Sequence, residues 1–131
     1  MAKRLIYFEF LRYHAPVAGY GALIVILSSI PQTAMPPLPF EGVDVVIHFL
    51  EYAVFALLIS RSFSRAPRLQ VGALAPLAAL LFVTLFSAGD EYHQKFVSGR
   101  NSSFFDFFAD LVGAGCVILL YHRRPKRRIS S

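Results

Sequence analysis

Seven carboxylates stand out in a chain that is otherwise strongly apolar: Glu41, Asp44, Glu51, Asp90, Glu91, Asp106 and Asp110, with Glu9 the only acidic residue elsewhere. Asp44, His48, Glu51 and Tyr52 recur at i, i+4, i+7 and i+8, so they would line one stripe of a helix. Asp106, Asp110 and Gly113 repeat that spacing, and Ala109 with Gly113 forms a small-xxx-small step that lets a second helix approach closely. Between the two stripes, Asp90-Glu91-Tyr92-His93-Gln94 closes another apolar run, and Gly99-Arg100-Asn101-Ser102 leads into the last one. Lys95 and Arg100 are the only basic residues near this acidic set, which would therefore share protons or attract a cation. Carboxylate and imidazole suit a hard or borderline divalent metal, for which Asp44, His48, Glu91 and Asp106 are the candidates. The spacing matches no established metal signature, and a lone helical histidine is more often a hydrogen-bond partner, so a metal cofactor is not the favoured reading.

Arg100 is the one fork-shaped donor available. It would either lock Asp106 in an ion pair or hold an anionic head group bidentately. The alternative to chemistry is glue: Glu51, Asp106 and Asp110 would then be hydrogen-bonded to Tyr52, Asn101 or the hydroxyls of Ser102 and Ser103. His93 reads as a surface residue in water at the membrane edge. Cys116 is the sole cysteine, which excludes an internal disulfide and thiolate zinc clusters and leaves it as a small packing residue. No Gly-rich phosphate loop, nucleophile elbow or metalloprotease helix is present, and Ser98-Gly99 reads as a turn before Arg100.

The elements that must position these residues are long hydrophobic helices. The chain has 131 residues, 56% of them hydrophobic, and its mean hydropathy of +0.54 exceeds what a soluble core of this size could hide. Four runs approach the roughly 18 to 20 residues needed to cross a hydrocarbon layer about 30 Å thick. They predict an all-α, integral membrane bundle of four transmembrane helices over residues 11–30, 43–60, 71–89 and 104–121, followed by a basic tail over 122–131. The whole chain, 1–131, reads as one domain. The proline-rich stretch from Pro31 to Pro39 ends the first run, and Pro76 implies a kink or a late start in the third. The N-terminus resembles a signal sequence without a clear cleavage site, and is read as a retained first helix.

Basic residues set the orientation. Lys3, Arg4 and Arg12 precede the first run; Arg61, Arg65 and Arg68 join the second and third; Arg123, Arg124, Lys126, Arg127 and Arg128 follow the fourth. These segments alternate with loops holding only Lys95 and Arg100, so the positive-inside rule places both termini in the cytoplasm, and an even number of spans follows independently of hydropathy. The acidic set then lies toward the outer leaflet, with Glu51 about 10 Å along its helix at about 1.5 Å per residue. The net charge of +5 is topogenic and would attract anionic lipid; without a stacking platform it does not indicate nucleic acid. A carboxylate at mid-membrane costs about 2.5 to 3.5 kcal/mol and less toward the interface, so residues that bear the cost usually face the bundle interior and have a function.

The ordered motifs Asp44-x-x-x-His48-Phe49-x-x-Tyr52, Asp90-Glu91-x-x-Gln94-x-Phe96 and Gly99-Arg100-x-x-Ser103-x-x-Asp106-x-x-x-Asp110-x-x-Gly113 resemble the VanZ-like family. These are small bacterial integral membrane proteins, some associated with low-level tolerance to the glycopeptide teicoplanin. The resemblance covers about residues 15–121 and implies a multi-pass protein of the bacterial cytoplasmic (inner) membrane. The family usually has lysine after the first aspartate, where this chain has Val45, and asparagine where it has Asp110; both differences make the site more acidic.

Three functions follow as expectations. The resemblance favours an envelope protein that recognises a lipid, cell-wall precursor or glycopeptide antibiotic in a cavity formed by Asp44, His48, Glu51, Tyr52, Asp90, Glu91, Gln94, Arg100, Asp106 and Asp110. A membrane-embedded enzyme acting on a lipid-linked substrate is less favoured; His48, Glu91 and Asp106 would be its catalytic candidates, with Arg100 on a phosphate. A proton- or cation-coupled transporter would use Glu51 and Asp110 and, with four helices per chain, would require an oligomer.

Overall fold

A computed structural model describes residues 2–37, 39, 42–66, 71–100 and 102–123. Glu41, Arg68, Asn101 and the basic tail from Arg124 onward lie outside the described residues. The chain starts with α1 (Ala2–Glu9), passes through a π-helical turn (Phe10–His14) and continues as α2 (Ala15–Ser28). The first helix thus begins nine residues earlier than hydropathy predicts, because Ala2–Glu9 holds no helix breaker even though it is too polar on average to read as a membrane run. Pro16 lies just beyond the widened turn. It has no N–H to offer the Arg12 carbonyl and its ring crowds that turn, and the π-bond from Ala15 N–H to the Phe10 carbonyl lets the rod continue.

After the proline-rich connection, Gly42 with φ of +87° starts α3 (Val43–Arg65). This helix runs past the predicted end at residue 60, since Arg61 to Arg65 are polar but helix-compatible. It stops where Ala66, which precedes Pro67, is forced to an extended ψ of 117°. A short 3-10 turn (Gly72–Leu74) leads into α4 (Ala75–Gln94). Pro76 sits in the first turn of α4, where its missing donor has no helical partner to lose, so the late start holds and no kink is needed. Asp90 to Gln94 prolong α4 beyond the predicted end at 89. The last helix is α5 (Phe104–Arg123).

Among the described residues, four helices are long and apolar enough to cross a membrane: Ile6–Ser28, Val43–Arg65, Gly72–Gln94 and Phe104–Arg123. At about 1.5 Å per residue each reaches roughly 30 to 35 Å. Their polarity is inverted relative to a soluble bundle. Leu77, Leu81 and Leu85 of α4, Val46, Leu50, Val54 and Leu57 of α3, and Phe104, Phe105, Phe108 and Leu119 of α5 are exposed, whereas His48, Ser87, Asp90, Glu91, Gln94, Asp106 and Asp110 are buried. That distribution is stable only in hydrocarbon, where outward-facing leucine costs nothing and inward-facing polar groups must find one another. Cys116 is exposed on α5, so it does not pack in the bundle as its size suggested.

The most extensive helix contact is α3 against α5; α4 packs on both, and the first span leans on α3 and α4 more lightly. Gly113 explains the tightest crossing: a Cβ there would overlap the Phe49 carbonyl oxygen and lie 3.0 Å from its carbon. Below the polar end, the core is closed by Ile24, Tyr52, Phe55, Ile59, Val83, Ala114 and Ile118. Phe55 and Phe86 are centred 4.7 Å apart within it. At the far end His14 Nδ1 and Ser62 Oγ are hydrogen-bonded at 2.9 Å, and Arg12 and Arg61 both face the Tyr13 ring. Gly113→Ala is expected to destabilise the bundle by about 1–3 kcal/mol through overpacking. Gly115→Ala, whose Cβ would meet nothing within 4 Å, should stay within about 0.5 kcal/mol of the parent. Reversible unfolding in bicelles distinguishes the two outcomes.

Candidate functional site

The buried polar residues gather at the end of the bundle that carries the connections 31–42 and 95–103. On α4 they fall on one face, because Val83, Ser87, Asp90, Glu91 and Gln94 repeat at helical spacing and are all buried. Two junctions organise them. In the first, Asp110 of α5 accepts from His48 Nδ1 of α3 at 3.0 Å and from Ser87 Oγ of α4 at 2.6 Å, so one carboxylate ties three helices. In the second, Asp90 accepts from Ser28 Oγ of α2 at 2.6 Å and from Gln94 Nε2 at 3.1 Å, which brings the first span to the same layer. Glu91 Oε2 accepts from the Ser103 backbone N–H at 3.0 Å, just before α5 begins.

Of the three carboxylates expected as helix glue, Asp110 bridges helices, though through partners other than those expected, and Asn101 lies outside the described residues. Asp110 bonds His48 and Ser87, not Tyr52 or the hydroxyls of Ser102 and Ser103. The Tyr52 hydroxyl is itself buried with no hydrogen-bond partner within 3.5 Å among the described residues. Arg100 departs further from expectation. Its Nε donates to the Ile30 carbonyl at 3.2 Å and its Nη2 to the Leu27 carbonyl at 2.9 Å, with Met35 Sδ at 3.5 Å. The guanidinium thus caps the negative end of α2 and does not pair with Asp106. His48 and Asp110 form an acid–base contact at 3.0 Å within this layer.

These residues surround a cavity of about 380 Å³. Asp44, His48, Glu51, Asp90, Gln94, Arg100 and Asp106 line it together with Leu27, Ser28, Gln32, Met35, Pro36, Ile47 and Gly99. Glu91 and Asp110 stand behind that wall, and Tyr52 belongs to the core below, in edge contact with Phe55. Gly99, with φ of +75°, turns the chain so that Arg100 reaches α2, and Gln32 N–H bonds the Ser98 carbonyl at 3.3 Å. His93 is exposed, as expected, and bonds Ser29 Oγ at 2.9 Å. His48, Glu91 and Asp110 present ligand atoms within 4.8 Å of one another; of the predicted metal candidates, Asp44 and Asp106 are not in that closest set.

Sequence reasoning missed Ser28 and Ser87. Ser87 lies three and four residues before Asp90 and Glu91, so helical spacing could have found it; Ser28, at the end of an apolar run, gives no such signal. Fold and site together define a multi-pass membrane protein with an acidic layer folded into one end of a four-helix bundle. Residues 4–124 match the VanZ/LLP1 family, and the chain belongs to it. Nothing among curated proteins or among solved structures matches it significantly.

The three-helix junction makes a graded prediction. Ser87→Ala removes one hydrogen bond and should cost about 0.5–1.5 kcal/mol. Asp110→Ala strands His48 and Ser87 together and should cost about 3–5 kcal/mol. Equal losses in bicelle unfolding would show that Asp110 does not bridge the helices.

Proposed function

We propose that this VanZ-family protein recognises the head group of an amphiphile in the cavity near the outer leaflet. The ligand would be a phospholipid, a lipid-linked cell-wall precursor or a glycopeptide antibiotic. The observation that carries this reading is the composition of the cavity wall. Asp44, Glu51, Asp90 and Asp106 offer acceptors for a head group rich in amines or hydroxyls. Leu27, Met35, Pro36 and Ile47 offer an apolar flank, and Leu27 and Ile47 are also exposed on the outside of the bundle. A head group on the polar side and a chain on the apolar side match the two halves of an amphiphile. The distribution of basic residues supports placing both termini in the cytoplasm of a bacterium, with this end of the bundle facing out across its inner membrane.

One observation favours a second reading. His48 lines the cavity and is held through Nδ1 by the buried Asp110, the arrangement that orients an imidazole as a general base. On that reading, a lipid-linked substrate would be turned over rather than only held. No observation favours ion translocation, because the packed residues Tyr52, Phe55, Ile59 and Val83 lie beneath the cavity.

Purified protein in nanodiscs, titrated separately with teicoplanin, a polyprenyl-linked precursor and phospholipid vesicles, is expected to bind at least one of them. Combining Asp44→Asn with Glu51→Gln should weaken that binding about tenfold or more, which corresponds to about 1.4 kcal/mol. Absence of binding to all three probes removes the recognition reading. Retained binding with turnover abolished by His48→Gln would establish the second. Orientation has its own test in a Cys116→Ser background. A membrane-impermeant thiol reagent applied to intact cells should label Pro36→Cys, and should label Ser64→Cys only after permeabilisation.

A further inference from the structure

Glu91 and Asp106 hold two atoms that helix packing leaves unexplained. Their exposures are only 7% and 6%, yet among the described residues Glu91 Oε1 and Asp106 Oδ1 have no hydrogen-bond partner. Other carboxylates of the same layer have partners on both oxygens. Asp90 and Asp110 each have both oxygens engaged, by Ser28 and Gln94 in one case and by His48 and Ser87 in the other. A buried carboxylate oxygen left open beside carboxylates that are fully engaged points to a missing partner.

The surroundings favour a cation as that partner. His48, Glu91 and Asp110 come from three different helices and bring ligand atoms within 4.8 Å of one another. Ligand atoms about 2.0–2.2 Å from an ion lie roughly 3.3–3.6 Å apart in a tetrahedral site and at most about 4.4 Å apart when opposite, so the set would close by about 1 Å around an ion. Asp106 lies one turn before Asp110 on α5 and adds its open oxygen at the cavity wall. The nearby guanidinium cannot balance these acids at contact distance, because Arg100 is committed to the carbonyls of Leu27 and Ile30. One imidazole with several carboxylates suits a borderline first-row divalent ion better than calcium, which takes six to eight oxygens.

We propose that His48, Glu91 and Asp110, with Asp106 beside them, bind one first-row divalent transition-metal ion behind the cavity wall. The site does not depend on which amphiphile, if any, the cavity takes. In the test, the full chain in nanodiscs is stripped with a chelator, titrated separately with Mn²⁺ and Zn²⁺, and its metal content measured after gel filtration. The expected result is one ion per chain and a higher unfolding temperature with metal. Glu91→Gln and His48→Gln should each weaken binding at least tenfold. His93→Gln, which removes an exposed histidine outside the cluster, should leave it unchanged. Glu91→Gln is nearly isosteric and keeps an oxygen for the Ser103 N–H, so it reports on the site even if His48→Gln fails to fold. Absence of stoichiometric binding of both ions overturns the proposal, as does binding that survives Glu91→Gln or that disappears with His93→Gln.

Discussion

Asp110 must not meet hydrocarbon, and much of the bundle can be read as the means of preventing it. The carboxylate lies in a membrane-spanning helix, where no water is available to complete its hydrogen bonds. Its two oxygens are satisfied by α3 through His48 and by α4 through Ser87. Those partners are useful only if the helices approach closely and in one register. Gly113, three residues further on, provides the approach by admitting the Phe49 carbonyl where a side chain would stand. The aromatic packing beneath, with Tyr52 and Phe55 at its centre, then seals the polar end from the rest of the interior. Charge burial, backbone proximity and core closure are three parts of one solution.

The first span is held differently. It shares less surface with the other helices, and its attachment at the polar end rests on Ser28 to Asp90 and on Arg100 to the carbonyls of Leu27 and Ile30. A widened helical turn beside Pro16 lies near the opposite end, next to the His14–Ser62 hydrogen bond. Hydrophobic burial fixes a soluble helix along its whole length, but lipid competes equally well for an apolar helix surface. Polar contacts at the two ends therefore contribute more to positioning this span than its many leucines and isoleucines do.

The sequence made the spans legible because hydropathy reports where hydrocarbon is. It placed helix ends poorly because hydropathy does not report backbone conformation: Ala2 to Phe10 and Arg61 to Arg65 are helical without being apolar. Most of the acidic stripe was legible for a similar reason, since Asp44, His48 and Glu51 recur at helical spacing and do line the cavity. The partners were not. Asp110 meets His48 because of the register between α3 and α5, which Gly113 and Phe49 determine in three dimensions and which no single helix encodes. Serines such as Ser28 look ordinary in a membrane helix until a carboxylate is found opposite. Arg100 was legible as the one fork-shaped donor near the acids, but its partners are backbone carbonyls, which every residue possesses and no motif can mark.

Arg100 also makes two events draw on a single resource. Its donors that complete the end of α2 are the same ones an anionic group entering the cavity would seek. A ligand that took the Nε or Nη2 donors would do so in exchange for the Ile30 or Leu27 carbonyl, and would release part of the hold on the first span. Thermodynamic reciprocity requires the converse: whatever draws that span aside, including a change in bilayer thickness or lateral tension, would raise the affinity of the guanidinium for an anion. For such a ligand, the mechanical state of the membrane and the occupancy of the cavity would be linked through one side chain.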